Sequence, residues 1–372
     1  VSNKLKLSNQ KAVKRISLKK VPIPTRIGFL AHLGDTAGCG HIRIIFPYLL
    51  LNNIIAKDIK FEAFYTNRYT PHPEAYSQVT FAVFQRSATP DQLNMVRHLR
   101  SVRKNTSIIY EIDDNLFDIP DSNFAKPFYV KNKETAEKIL QTVDGIITST
   151  DFLKEEYSKY NKNIQVVPNH LPKFLWGDAE FRHQENKKPR IMYAGSMNHF
   201  SLTKNSDEGD FGTKLINFIL STTDKYEWHF VGGIPQRALV EARNTGKIKY
   251  HDWQTIFALP SYLRSMNVDL ALAPLEENRF NMSKSNIKAL ESTILGIPVV
   301  CSDFGPYKGL SGAVKTSDEM ISKIEELVSD VDKRQKQWYD TYNILKSQLF
   351  WEEDDNLTKF VNSYLRLVKM TL

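Results

Sequence analysis

The chain has 372 residues, 41% of them hydrophobic and 25% charged, with a net charge of +8. That balance excludes a disordered or fibrous protein, and the length exceeds what one ordinary core fills, so two domains of about 150 to 200 residues are expected. The surplus of Lys and Arg favours an anionic partner, whether nucleic acid, nucleotide, phosphorylated lipid or acidic glycan.

Residues 1–25 carry seven Lys or Arg and no Asp or Glu. They read either as a solvated tail or as an electrostatic arm for DNA, RNA or an anionic membrane. The segment lacks the apolar stretch of a signal peptide, and no apolar run reaches the ~18 residues of a membrane span, so no transmembrane segment is expected. Cys39 and Cys301 are far apart and belong to no His/Cys cluster. They suit a reducing, cytoplasmic compartment and give no zinc or disulfide spacing.

From Arg26 onward short β-rich runs alternate with amphipathic patterns. RIGFLAHL, FEAFYT, VTFAVFQR, TSIIYEID, GIITST and IQVVPN read as strands, with HIRIIFPYLLLNNII, PDQLNMVRHLRSVRK, ETAEKILQTV and DFLKEEYSKY as helices between them. Such alternation implies parallel strands with crossover helices. After the polar bridge FRHQENKKPR the pattern restarts. RIMYAGS, YEWHFVGG, IKYHDW, VDLALAPL and PVVCSD alternate with TKLINFILST, LPSYLRSM, SKSNIKALESTIL and DEMISKIEELVSD. The expectation is an α/β protein of two doubly wound halves, 26–185 and 186–350, closed by an amphipathic helix within 351–372.

Ligands of open α/β sheets bind beyond the carboxyl ends of the strands, where loops enter helices. Four such loops stand out. In GDTAGCGH, Gly38 and Gly40 let the backbone approach a ligand and can aim amides at an anion, although tight-turn packing explains glycines equally. In YEIDDNLFDIP, Asp113 and Asp114 end a buried strand, where carboxylates bind metal, act as a base, orient acceptor hydroxyls or merely cap a turn. In AGSMNHF, Gly195 and Ser196 end the first strand of the second half.

The fourth loop, NMSKSNIKALESTILGIPVV, breaks a local rule. Ser283 or Ser285 can cap a helix whose core stripe is Ile287, Leu290 and Ile294, and Gly296 with Pro298 ends it. Lys284 and Lys288 then fall in the first turn, where the helix dipole is already positive and the two ammonium groups repel. A diphosphate offsets both faults by accepting bonds from serines and backbone amides while neutralising the lysines. Glu291, one turn on, then reaches the hydroxyls of an attached ribose. A plain Lys288–Glu291 surface pair leaves Lys284 unexplained.

These residues resemble a known family: the retaining, nucleotide-sugar-dependent glycosyltransferases of the two-domain (GT-B) type often called family 4. The resemblance covers about residues 26–365 and rests on GCGHIR, GIITSTDFLKEEY, VVPNH, YAGS, LPSYLRSMNVDLALAPL and KALESTILGIPVVCSD. The last stretch is similar to the family's EAMAxGxPVVASD. It implies two Rossmann-like domains facing a cleft, with the C-terminal helix crossing back onto the first.

The resemblance places the donor ribose on Glu291 and implies that Lys284 or Lys288 takes the role of the family's basic diphosphate ligands, with Ser283, Ser285 and Asn286 beside them. Where the family usually carries a second glutamate, this chain has Ser283, within a KSxxKxxE pattern like that of a subgroup. The implied donor is a UDP-sugar with no cofactor required and no protein nucleophile. Asp113 and Asp114 become acceptor-side residues. The resemblance extends to phage enzymes that glycosylate hydroxymethylcytosine, which makes DNA the expected acceptor. The alternatives are a surface-polysaccharide or lipid-linked glycan transferase with peripheral membrane contact, and a non-catalytic nucleic-acid-binding protein on the same scaffold.

Overall fold

A computed structural model describes residues 26–54, 59–67, 73–121, 123–184, 186–200 and 209–368. The basic arm expected at 1–25 lies outside the described residues. Strands β1 (Arg26–His32), β2 (Lys60–Thr66), β3 (Phe81–Gln85), β4 (Ser107–Ile112), β5 (Gly145–Thr148) and β6 (Ile164–Val166) form a sheet ordered β2-β1-β3-β4-β5-β6. Strands β7 (Arg190–Gly195), β8 (Glu227–Gly232), β9 (Ile248–His251), β10 (Leu270–Ala273), β11 (Val299–Ser302) and β12 (Ala313–Val314) form a second, ordered β12-β11-β10-β7-β8-β9.

Every pairing is parallel; Phe81 faces Ser107 and Gln85 faces Glu111 in the first sheet, and Ala271 faces Val299 in the second. Helices cover parallel sheets on both faces, so central strands carry unbroken apolar runs. FAVFQ, SIIYEI and LALA are buried at every position. The crossover helices start on sequence signals: Thr89 and Gln92 form a capping box ahead of Pro90–Val102, and Thr150 caps Asp151–Tyr157.

The α/β architecture expected from the sequence is thus present as two Rossmann-like domains. Some elements differ. The run expected as one helix from His41 instead starts at Gly38, widens into a π-helical turn over His41–Ile45 and ends as Phe46–Asn52. Helices Gln236–Thr245 and Val331–Leu345 were not expected. The first buries only Ala238, so its apolar stripe is too weak to read; it stops at Gly246, whose φ of +67° suits a glycine terminator.

The two domains are stitched where the chain crosses between them. Leu171, leaving the first domain, pairs in parallel with Phe350 on the return; Leu171 N donates to Leu349 O at 2.9 Å and Trp351 N to Leu171 O at 3.1 Å. Helix Asn356–Leu365 then packs Leu357, Phe360, Val361 and Tyr364 into the first domain's core, with the Tyr364 ring edge-on to Phe29 at 5.3 Å. Each such burial contributes roughly 1.5–3 kcal/mol as an upper estimate. No helix among the described residues is long and apolar enough to cross a membrane.

Candidate active site

Each strand order reverses direction once, and the crevice at such a switch point is where open α/β sheets hold ligands. In the second sheet it lies between β7 and β10, in the first between β1 and β3. The four loops singled out in the sequence all lie near these crevices. Gly195 ends β7 and Ser196 follows it, Gly38 and Gly40 follow β1, Asp113 and Asp114 follow β4, and the lysine loop lies between β10 and β11.

The lysine loop folds differently from the expectation. Its helix spans Ile287–Ile294 with Asn286 as N-cap, so neither Ser283 nor Ser285 caps it and Lys284 precedes the first turn. A separate short helix, Arg279–Met282, ends just before it. The serines are drawn elsewhere. Ser283, fully buried, donates to Phe280 O at 2.6 Å and accepts from Asn115 N of the first domain at 3.1 Å. Ser285 accepts from Asn169 Nδ2 at 2.7 Å. Asn286 exchanges two 3.0 Å amide bonds with Gln348. These three side chains therefore form a seam between domains, while the N-terminal amides of the helix stay free of side-chain caps.

Lys284 and Lys288 nevertheless converge. Lys288 Nζ donates to Ala194 O at 2.6 Å and lies 4.7 Å from the centre of the Tyr193 ring. Lys284 Nζ lies 4.5 Å from the centre of the Phe280 ring. Neither makes an ion pair with a described carboxylate. Burial pushes the Lys288 ammonium down to about 8, with Glu291 opposing and Lys284 reinforcing the shift. Burial pushes the Glu291 carboxyl up to about 7 against the pull of Lys288. Gly195 is required here, because a Cβ on it would collide with Lys288 Nζ and Tyr193 Oη. The buried Tyr193 hydroxyl has no hydrogen-bond partner among the described residues.

Beside the lysines stands a cluster the sequence reading missed. His199 Nδ1 is 2.6 Å from Asp210 Oδ2, and Asp210 Oδ1 accepts from Asn281 Nδ2 at 2.8 Å and Glu276 N at 2.9 Å. Burial, reinforced by Lys288, pushes His199 down to about 4. The imidazole is then neutral at pH 7, donating through Nδ1 to the carboxylate. His199 belongs to the noted AGSMNHF stretch, but nothing local marks its partner.

On the facing wall Asp113 and Asp114 are held by Arg86, whose backbone sits at φ +48°. Arg86 Nε donates to Asp113 Oδ1 at 2.7 Å, and Nη2 to Asp114 Oδ2 at 2.6 Å and to the Cys39 sulfur at 3.2 Å. Burial raises the Asp113 pKa, but Arg86 and then Arg43 outweigh it and leave the carboxyl below its usual range. The Asp114 side chain keeps 21% of its surface exposed. A non-glycine residue at positive φ is a strained conformation maintained by its surroundings; here it aims the guanidinium at both carboxylates.

In the glycine loop, Asp35 accepts from the amides of Ala37, Cys39 and Gly40, so most of those amides are already engaged. Gly40 is packed against the Asp35 carbonyl, whereas a Cβ on Gly38 would meet open space. The arginine of GCGHIR is structural: Arg43 pairs with Glu111 at 2.7 Å, both side chains buried, and donates to Val167 O and Asn169 Oδ1. It thereby orients Asn169 toward Ser285.

No family model matches the sequence, and no curated protein matches it. Solved structures do. A trehalose-6-phosphate protein from E. coli bound with UDP-2-fluoro glucose is similar over 92% of this chain and 99% of its own, at 12% identity and a TM-score of 0.55. The N-terminal domain of a Candida albicans trehalose-6-phosphate phosphatase gives 95% and 99% coverage, 11% identity and a TM-score of 0.59. A UDP-forming trehalose-phosphate synthase from Burkholderia xenovorans gives 93% and 100%, 11% and 0.55. The fold is therefore the two-domain GT-B arrangement, with the closing helix returned to the first domain.

Proposed function

We propose that this chain is a glycosyltransferase that moves a hexosyl or pentosyl group from a UDP-sugar to an acceptor hydroxyl with retention. The observation that carries the reading is the pair of ammonium groups, Lys284 and Lys288, which make no ion pair with a described carboxylate, at the open end of an uncapped helix beside Gly195. A diphosphate lying there would gain two charge-assisted contacts and the helix-end dipole. Ser196 borders the same position, and Glu291 stands one turn further for the ribose. The structural neighbours are consistent with this donor: one is bound with UDP-2-fluoro glucose and another is UDP-forming.

In the reaction the bond from the anomeric carbon to the diphosphate oxygen breaks, the acceptor oxygen bonds to that carbon on the same face, and negative charge grows on the leaving group. Lys284 and Lys288 stabilise that charge; one preorganised donor of this kind is worth about 3–4 kcal/mol of barrier. The acceptor proton passes to the departing diphosphate, so no protein nucleophile is required. Asp114, held by Arg86 and partly exposed, orients the acceptor, and Asp113 fixes Arg86. Ser283, Ser285 and Asn286 serve closure of the cleft.

The acceptor we favour is 5-hydroxymethylcytosine in DNA, supported by the net charge of +8 and the arm with its seven cations. The test has two stages. Hydrolysis or transfer from UDP-sugars should collapse in Lys288→Ala and Glu291→Ala with folding retained; unchanged activity in both removes the site. Radiolabelled transfer should then go to hydroxymethylated duplex rather than unmodified DNA or membrane extract. Transfer only to the lipid fraction would replace DNA with a lipid-linked acceptor.

A further inference from the structure

Away from the lysine loop, where the chain crosses between domains, a cavity of about 430 Å3 opens between Val166–Pro168, Ser347–Gln348 and the helix Asn356–Leu365. A volume of that size suits a small metabolite. Phe360 gives it an apolar side, and its polar lining includes His170, Gln348, Asn362, Lys359 and Arg366. No carboxylate lines it among the described residues. Arg366 makes no ion pair with a described residue, and Lys359 Nζ meets only the amide oxygen of Asn356, at 3.3 Å.

The buried wall adds an independent sign of a ligand. His170 is 5% exposed, and its Nδ1 is 2.8 Å from Gln348 O, a carbonyl that can only accept. Nδ1 therefore carries the proton. Nε2 is left as a lone pair without a partner among the described residues, on a ring that lines the cavity. Burial pushes His170 down to about 4, and Arg43 and Lys359 push the same way, so the imidazole stays neutral. Two cations ask for a dianion, and an imidazole lone pair asks for a hydroxyl.

We propose that this cavity binds a small phosphate monoester carrying free hydroxyls, a sugar phosphate, and that its occupancy is coupled to the lysine loop through Gln348. The phosphate lies against Lys359 and Arg366, and a hydroxyl donates to His170 Nε2. Gln348 links the sites: its backbone carbonyl holds His170, and its side chain pairs with Asn286, the N-cap of the helix bearing Lys288 and Glu291. A ligand that holds this seam in place changes UDP affinity, and UDP changes the ligand's affinity by the same factor.

The test is calorimetry on the full chain with ribose 5-phosphate, inorganic phosphate and ribose. Ribose 5-phosphate should bind at about millimolar or tighter Kd, at least ~10-fold better than phosphate, with no heat from ribose. The double variant Lys359→Ala/Arg366→Ala, altering two exposed side chains, should weaken it at least ~10-fold without lowering Tm. Lys288→Ala should bind it normally, which separates this cavity from the proposed donor site. Gln348→Ala should still bind it but lose any change in affinity on adding UDP. No binding at ~10 mM, or binding kept in the double variant, overturns the site. Intact binding that UDP does not alter in the parent protein overturns the coupling.

Discussion

Replacing Lys288 with Met should stabilise the empty protein and weaken its hold on UDP. The Lys288 side chain is half-buried, and desolvation brings its pKa down from 10.5 to about 8. Each unit is 1.36 kcal/mol of preference against the charged form, so keeping the charge at pH 7 costs about 3 kcal/mol. Met preserves the length of the stem. The change also removes the 2.6 Å bond to Ala194 O, a loss of about 1 kcal/mol. The net expectation is a gain of about 2 kcal/mol, a rise of about 2–3 °C in Tm.

The gain has a pH signature. The unfolded chain holds the lysine proton up to 10.5 and the folded one only to about 8, so wild-type stability rises with pH across that window. The variant should lack that rise, so its advantage should vanish within that window and become a deficit of about 1 kcal/mol above it, the lost bond to Ala194 O. UDP affinity, measured by calorimetry, should fall about 10- to 100-fold, the worth of one charged hydrogen bond. A variant less stable than wild type at pH 7, or one that binds UDP unchanged, refutes the argument that this cation is kept for a ligand.

Glu291 titrates near 7 and Lys288 near 8, so UDP affinity should rise as Glu291 ionises and fall as Lys288 loses its proton. Glu291→Gln should remove the lower limb of a calorimetric pH series while the upper limb stays; an unchanged lower limb contradicts the ribose role. Gly195→Ala should leave secondary structure intact by circular dichroism yet weaken UDP at least ~10-fold, because the new methyl displaces the Lys288 ammonium. Arg43→Met leaves Glu111 buried without its ion-pair partner, with only Gln85 Nε2 still donating to it among the described residues, and should lower stability in urea by about 3–5 kcal/mol. Adding Glu111→Leu should recover much of that loss, and no recovery would mean that Arg43 acts through Asn169 alone.

The doubly wound halves were legible because parallel strands buried on both faces leave unbroken apolar runs, as in SIIYEI and LALA, between helices with readable caps. The unusual placement of Lys284 and Lys288 was legible through charge, since two cations beside a helix start conflict with local electrostatics. The helix boundary was not: Ser283 and Ser285 are good caps by type, but Asn115 and Asn169 of the other domain compete for them. Long-range partners carry no local mark. Arg86 is 27 residues from Asp113, and Asn281 is 71 from Asp210. Arg43 was the exception that could have been read, as a fixed charge inside HIRIIFPYL flanked directly by Ile42 and Ile44.

The most direct measurement is a crystal structure of the chain with UDP. The diphosphate should lie within about 3 Å of the Lys284 and Lys288 ammonium groups, with the ribose hydroxyls on Glu291. Density for the diphosphate at any other place, with both lysines left as they stand, would contradict it.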